Sequence, residues 1–159
     1  LNTCFKINYL LNLTNQFLYQ KDRYMVMTGP EGTPFYKYFT EMMIKSIITN
    51  PAPGKVVAPY SQYTVSGAAW SGEKEVSKVE FSSDEGKSWH KATLIPRSDY
   101  SWYRWEYEWK VPGPGNYTLM CRATNNEGET QPVDFPNKWD GQNYGNNMIF
   151  PHPVEVQED

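Results

Sequence analysis

Cysteine and histidine are scarce in this chain, with two of each among 159 residues. Structural zinc takes four ligands, usually in close pairs, so Cys4 and Cys121 do not announce a metal site, and His90 and His152 cannot alone form a three-histidine centre. No run of about 18 consecutive apolar residues occurs, and the N-terminus lacks a charged segment leading into an apolar core and a small-residue cleavage site. A soluble chain with no targeting segment is expected. The formal net charge is −3, with no basic cluster. Neither a nucleic-acid backbone nor an anionic membrane is therefore an expected partner. A glycine-rich phosphate loop, a nucleophile elbow and a zinc-binding helix motif are all missing too.

What is present is aromatic and punctuated. Aromatic residues make up 16% of the chain and charged ones only 21%, with 12 proline and 11 glycine residues. This composition predicts short strands joined by turns rather than helices. The length allows one domain, or one domain plus a fragment, burying about two-thirds of its unfolded surface.

Residues 1–40 show no sustained period, and Gly29-Pro30-Glu31-Gly32-Thr33-Pro34 interrupts any regular element. They read as an arm, and the initial Leu1 suggests processing or a piece of a longer polypeptide. The domain proper is expected over 41–159. Ile44, Ile47 and Ile48 form a first strand that stops at Asn50-Pro51-Ala52-Pro53-Gly54, because proline removes a donor and fixes φ. Tyr63, Val65, Gly67 and Ala69 share one parity. So do Val79 and Phe81, opposed by Lys78, Glu80 and Ser82.

A hairpin is predicted at Ser83-Asp84-Glu85-Gly86-Lys87, with Asp84 bonding its own backbone and Gly86 free to take positive φ. Trp89 and Leu94 then belong to the returning strand. Tyr103, Trp105, Tyr107 and Trp109 alternate with Arg104, Glu106 and Glu108, giving one aromatic face and one charged face. Pro112-Gly113-Pro114-Gly115 is expected to form a hairpin into Tyr117, Leu119, Cys121 and Ala123. Asn125-Asn126-Glu127-Gly128 ends that strand, a long loop reaches Asn147, and Val154 and Val156 lie on a terminal strand. About seven strands at this spacing indicate an all-β, immunoglobulin-like sandwich whose core needs no disulfide.

Candidate chemistry is sparse. His90 follows Trp89 on a strand and reads as a half-exposed residue on its polar side. Glu106/Glu108 and Asp84/Glu85 could serve as the two carboxylates of a glycosidase, about 5–10 Å apart. An alternating strand and a turn are, however, where soluble proteins place acids anyway. Cys121 reads as a core thiol, since free cysteine packs as a small hydrophobe. The odd-numbered aromatics read as core, leaving Trp102 as the surface aromatic able to stack on a sugar or a protein partner. No residue is assigned a catalytic, cofactor-binding or metal-binding role.

Several motifs nevertheless occur in a fixed order: Lys45-Ser46-Ile47-Ile48 with Pro51 and Gly54; Gly67-Ala68-Ala69-Trp70-Ser71-Gly72; Val79 through the Asp84-Glu85-Gly86 turn to Trp89; Arg122-Ala123-Thr124 through Gly128 to Gln131-Pro132; and Trp139 with Tyr144-Gly145-Asn146-Asn147. On these, the chain from about Met43 to Val156 resembles the C-terminal dimerisation domain of the sulfite oxidase family of molybdenum-cofactor oxidoreductases. Phe17 to Tyr24 resembles the closing stretch of the catalytic domain that precedes it. The resemblance implies a homodimer, a missing catalytic domain carrying molybdopterin, no cofactor in this fragment and no activity of its own. It allows a periplasmic or otherwise exported parent. Some family members place an arginine after a histidine near the last strand, close to the substrate anion. Here Pro153 follows His152 and offers no charged donor, so either the matching position lies a few residues away or the parent is not a typical sulfite oxidase. A different class stays open: an extracellular sandwich binding carbohydrate or protein through exposed aromatics. So does a two-carboxylate hydrolase with Glu106 or Glu108 lining a cleft.

Overall fold

The computed structural model describes residues 42–96, 101–133 and 146–158, together with the backbone of two short strands nearer the N-terminus. Those two, β1 (Met25–Met27) and β2 (Tyr36–Tyr38), pair antiparallel. The chain divides into two compact units, residues 1–41 with 136–146 and residues 42–135 with 147–159.

The second unit holds β3 (Lys45–Asn50), β4 (Val56–Val57), β5 (Gln62–Trp70), β6 (Val76–Ser82), β7 (His90–Lys91), β8 (Thr93–Ile95), β9 (Tyr103–Lys110), β10 (Gly115–Asn125) and β11 (His152–Val156). One sheet runs β4-β11-β10-β6-β7 and the other β3-β5-β9-β8. All pairs are antiparallel except β4 with β11. The all-β, immunoglobulin-like sandwich is as the sequence predicts. Its nine strands exceed the expected seven by two, because the two-residue β4 gives almost no parity signal and the expected returning strand after the Asp84 turn divides into β7 and β8 in different sheets.

Alternation along the long strands builds the core. Val65, Ala69, Val79, Phe81, Trp105, Leu119 and Ala123 are all fully buried. Each of the larger ones contributes about 1.5–3 kcal/mol by leaving water. Between the sheets, Phe81 stacks on Tyr107 with ring centres 4.7 Å apart, and Trp109 meets Tyr117 edge-on at 5.6 Å. Gly67 lies opposite Trp105 in the ladder, and a Cβ there would come within 2.6 Å of the indole and collide with the Ile47 carbonyl. The glycine is required by space.

Three local expectations differ from the structure. Pro112 to Gly115 is not a hairpin: β9 and β10 lie in different sheets. The Val111 N–H donates to the Ser61 carbonyl at 2.9 Å and the Tyr60 N–H to the Pro112 carbonyl at 3.1 Å. The end of β9 thus stays with the β5 side while the chain passes to the other sheet. Nor does one returning strand carry both Trp89 and Leu94. Trp89 precedes the two-residue β7; buried Ala92 then bonds back to Val79 at 2.9 Å, and Leu94 lies on β8 opposite Trp105. Finally, Ser82 has the outward parity expected but is buried. Its hydroxyl donates to Asp84 Oδ1 at 2.7 Å and accepts the Gly86 N–H at 2.9 Å, so the turn folds over it.

Candidate functional site

The Asp84 turn is built as its residue types demand. Glu85 and Gly86 both take positive φ, 62° and 81°. Asp84 accepts the Ser88 N–H at 2.9 Å and the Ser88 hydroxyl at 2.6 Å. These two bonds, with that from Ser82, hold its carboxyl far below the usual carboxylate range. The carboxylate is thereby committed to the turn.

That turn delivers Trp89 over the outer face of the five-stranded sheet. The Arg122 guanidinium lies 4.2 Å from the indole centre, a cation–π contact, and Arg122 Nε donates to Glu80 at 2.8 Å. Lys78 adds a second ion pair to Glu80 at 3.2 Å. Partial burial pushes the Glu80 carboxyl up, but the Arg122 and Lys78 hydrogen bonds outweigh it and hold the group below its ordinary value. Arg122 and Lys78 thus share the single Glu80 carboxylate.

Between the sheets the most elaborate polar contact is Gln131, which is 2% exposed. Its Oε1 accepts the Ser46 N–H and hydroxyl, each at 2.8 Å, and the Ala123 N–H at 3.4 Å. Its Nε2 donates to the Met148 carbonyl at 2.9 Å. One amide thus joins β3 of one sheet to β10 of the other and to the segment before β11. Only its place in the Gln131-Pro132 motif marked it in the sequence, because a lone buried polar residue has no periodic signature.

The candidate site residues do not converge. His90 is exposed, yet it pairs with Phe81 and takes that residue's inward parity, its ring 6.0 Å from Tyr107. It is an edge aromatic rather than a residue of the polar side. His152 Nε2 lies 2.9 Å from the Pro51 carbonyl. Glu106 pairs with Arg104 at 3.8 Å and Glu108 accepts the Thr64 hydroxyl at 2.6 Å, all on the outer face of the four-stranded sheet. Cys121 is buried, and burial pushes its thiol up to about 12, against a smaller opposing effect of Ser46. Cys4, Phe17 to Tyr24, Trp139 and Tyr144 lie outside the described residues. Among the described residues no group of three or more histidine, cysteine or acidic side chains could hold a metal ion. No helix among them is long and apolar enough to cross a membrane.

Of the aromatic stripe, Trp105 and Trp109 are core, as expected. Trp102 is 55% exposed and stacks on Trp70 with ring centres 4.7 Å apart. The pair sits at one end of the four-stranded sheet's outer face, where Lys45, the ladder partner of Trp70, reaches the exposed Phe150 ring at 4.5 Å. What these residues offer is two sheet faces.

Comparison with known proteins agrees with that character. Sulfite oxidase of Gallus gallus is 32% identical over 105 residues, covering 62% of this chain and 23% of that protein. Mitochondrial sulfite oxidase of Mus musculus is 31% identical over 124 residues, covering 74% of this chain and 22% of that protein. The chain therefore spans less than a quarter of the length of these relatives. Among solved structures, the sulfane dehydrogenase SoxCD of Paracoccus pantotrophus superposes with a TM-score of 0.62 at 25% identity, over 86% of this chain and 37% of that one. Residues 36–157 match the family described as the Mo-co oxidoreductase dimerisation domain. With that match over most of its length, the chain belongs to the Mo-co oxidoreductase dimerisation domain family.

Proposed function

We propose that this chain is the self-association module of a molybdenum-cofactor oxidoreductase of the sulfite oxidase type, and that residues 1–40 are the end of its catalytic domain. The observation that carries this reading is the family match over residues 36–157, which take in the whole sandwich. The family name implies a molybdenum cofactor, and the described residues do not fit one. Cofactor ligation by cysteine needs an accessible thiolate, whereas Cys121 is buried with its thiol held protonated. The redox chemistry belongs to the catalytic domain, for which this chain supplies pairing.

Sedimentation equilibrium of the chain tests the reading, with a concentration-dependent monomer–dimer equilibrium expected. Metal analysis and a sulfite oxidation assay on the same material should show neither bound molybdenum nor turnover. A monomer at all concentrations, or activity of the isolated chain, would sink the proposal.

A further inference from the structure

We propose that the outer face of the four-stranded sheet is the surface on which a second copy of this chain docks; this rests on the self-association reading above and names the surface it uses. The ladder places Ile47, Ala68, Arg104 and Ile95 in one row across all four strands. The adjacent outward row holds Ser66, Glu106 and Thr93. The centre of the face, on β5, is thus made of Ser66 and Ala68, small enough to let an opposing sheet approach to about 10 Å. Arg104 is 73% exposed and its contact with Glu106 is a long 3.8 Å. Its donors remain available to a partner in a way that those of Arg122, held by Glu80 and covered by Trp89, do not.

The charges along β9 make this face complementary to itself. A symmetric dimer pairs residue i with j and j with i across its axis. An axis lying between two such faces and crossing the strands at the Gly67–Trp105 row sets β9 over the partner's β9, running oppositely. Arg104 of each copy then meets Glu106 of the other, and Ala68 meets Ser66. The same operation lays the stacked pair of half-buried Trp70 and exposed Trp102 over the opposing row of Thr64 and Glu108, whose hydrogen bond already fixes their side chains. Both charge pairs and the aromatic end are satisfied by one operation.

The test is charge reversal in the full chain, read by sedimentation equilibrium with near-UV circular dichroism confirming the fold. Arg104→Glu sets two glutamates against each other at both contacts, and Glu106→Arg sets two arginines. Each single variant is expected to weaken the dimer at least about tenfold. Mixing the two should restore association, because each then presents the charge the other lacks, and the double variant R104E/E106R should dimerise like the natural chain. Lys87→Glu, on the turn of the other sheet, should change nothing. If the natural chain dimerises and both single variants match it, the docking face is wrong and the self-association reading stands. If the natural chain is a monomer throughout, the reading fails and takes this face with it. Trp102→Ala, an exposed change at the aromatic end, should also weaken the dimer, and an unchanged dissociation constant there would overturn the axis placement.

Discussion

On the five-stranded sheet the outward side chains hold one another: Arg122 lies between Glu80 and the Trp89 indole, with Lys78 completing the pair and Ser82 roofed by the Asp84 turn. On the four-stranded sheet the outward side chains are small in the middle, loosely paired along β9, and end in a half-bare tryptophan pair. The two faces differ in whether a guanidinium has its partners within the same chain. A charge with short, partly buried contacts contributes to folding, whereas an exposed pair near 4 Å contributes almost nothing until something covers it. The same residue type can serve stability on one sheet and recognition on the other.

The contrast can be broken at the point where the sheets are joined. Gln131→Leu strips the Ser46 N–H and the Met148 carbonyl of their short partners inside the core, and is expected to cost about 3–4 kcal/mol in urea unfolding. Gly67→Ala acts on the four-stranded sheet alone. It forces Trp105 or the Ile47 backbone to move and should lower stability by about 3 kcal/mol, measured the same way. The two arginines sharpen the comparison directly. Arg122→Ala should destabilise the fold by about 1–2 kcal/mol, through lost packing on Trp89 as well as the Glu80 pair. Measured at protein concentrations low enough for the chain to be monomeric, Arg104→Ala should stay within about 0.5 kcal/mol of the natural chain. Equal losses from the two would erase the distinction between the faces.

A pH dependence is expected as well. Asp84 and Glu80 both have folded-state values below their unfolded ones, so their stabilisation is complete above the ordinary carboxylate range, about pH 4. It is lost as pH falls through the depressed folded values. The melting temperature should therefore drop on acidification below about pH 4. In Asp84→Asn and Glu80→Gln variants that slope should flatten, and an unchanged slope in both would place the acid sensitivity elsewhere.

Much of the sandwich was legible in the sequence because parity is a local property. The alternating sets on β5, β6, β9 and β10 face inward as read, and the Asp84-Glu85-Gly86 turn forms where its chemistry required it. Strand partnership was not legible. A Pro-Gly-rich link between two alternating runs looks the same whether the chain pairs with itself or crosses to the opposite sheet, and only the Val111–Ser61 and Tyr60–Pro112 bonds decide it. His90 was misplaced for a related reason, since β7 is too short for its own sequence to fix its parity. The site was the least legible part, because a docking face is defined by what its residues lack within the chain, and sequence records only what they are.

One consequence of the short edge strands concerns how assembly stops. Three of the four edges of the two sandwich sheets, β4, β7 and β8, offer only two or three residues for backbone pairing. An incoming strand gains too few hydrogen bonds there to extend either sheet. Growth by edge addition has no terminal point, whereas a face that meets its own copy is used up once it is occupied. At these three edges the fold thus disfavours open-ended growth, leaving the six-residue β3 as the one long edge of the sandwich.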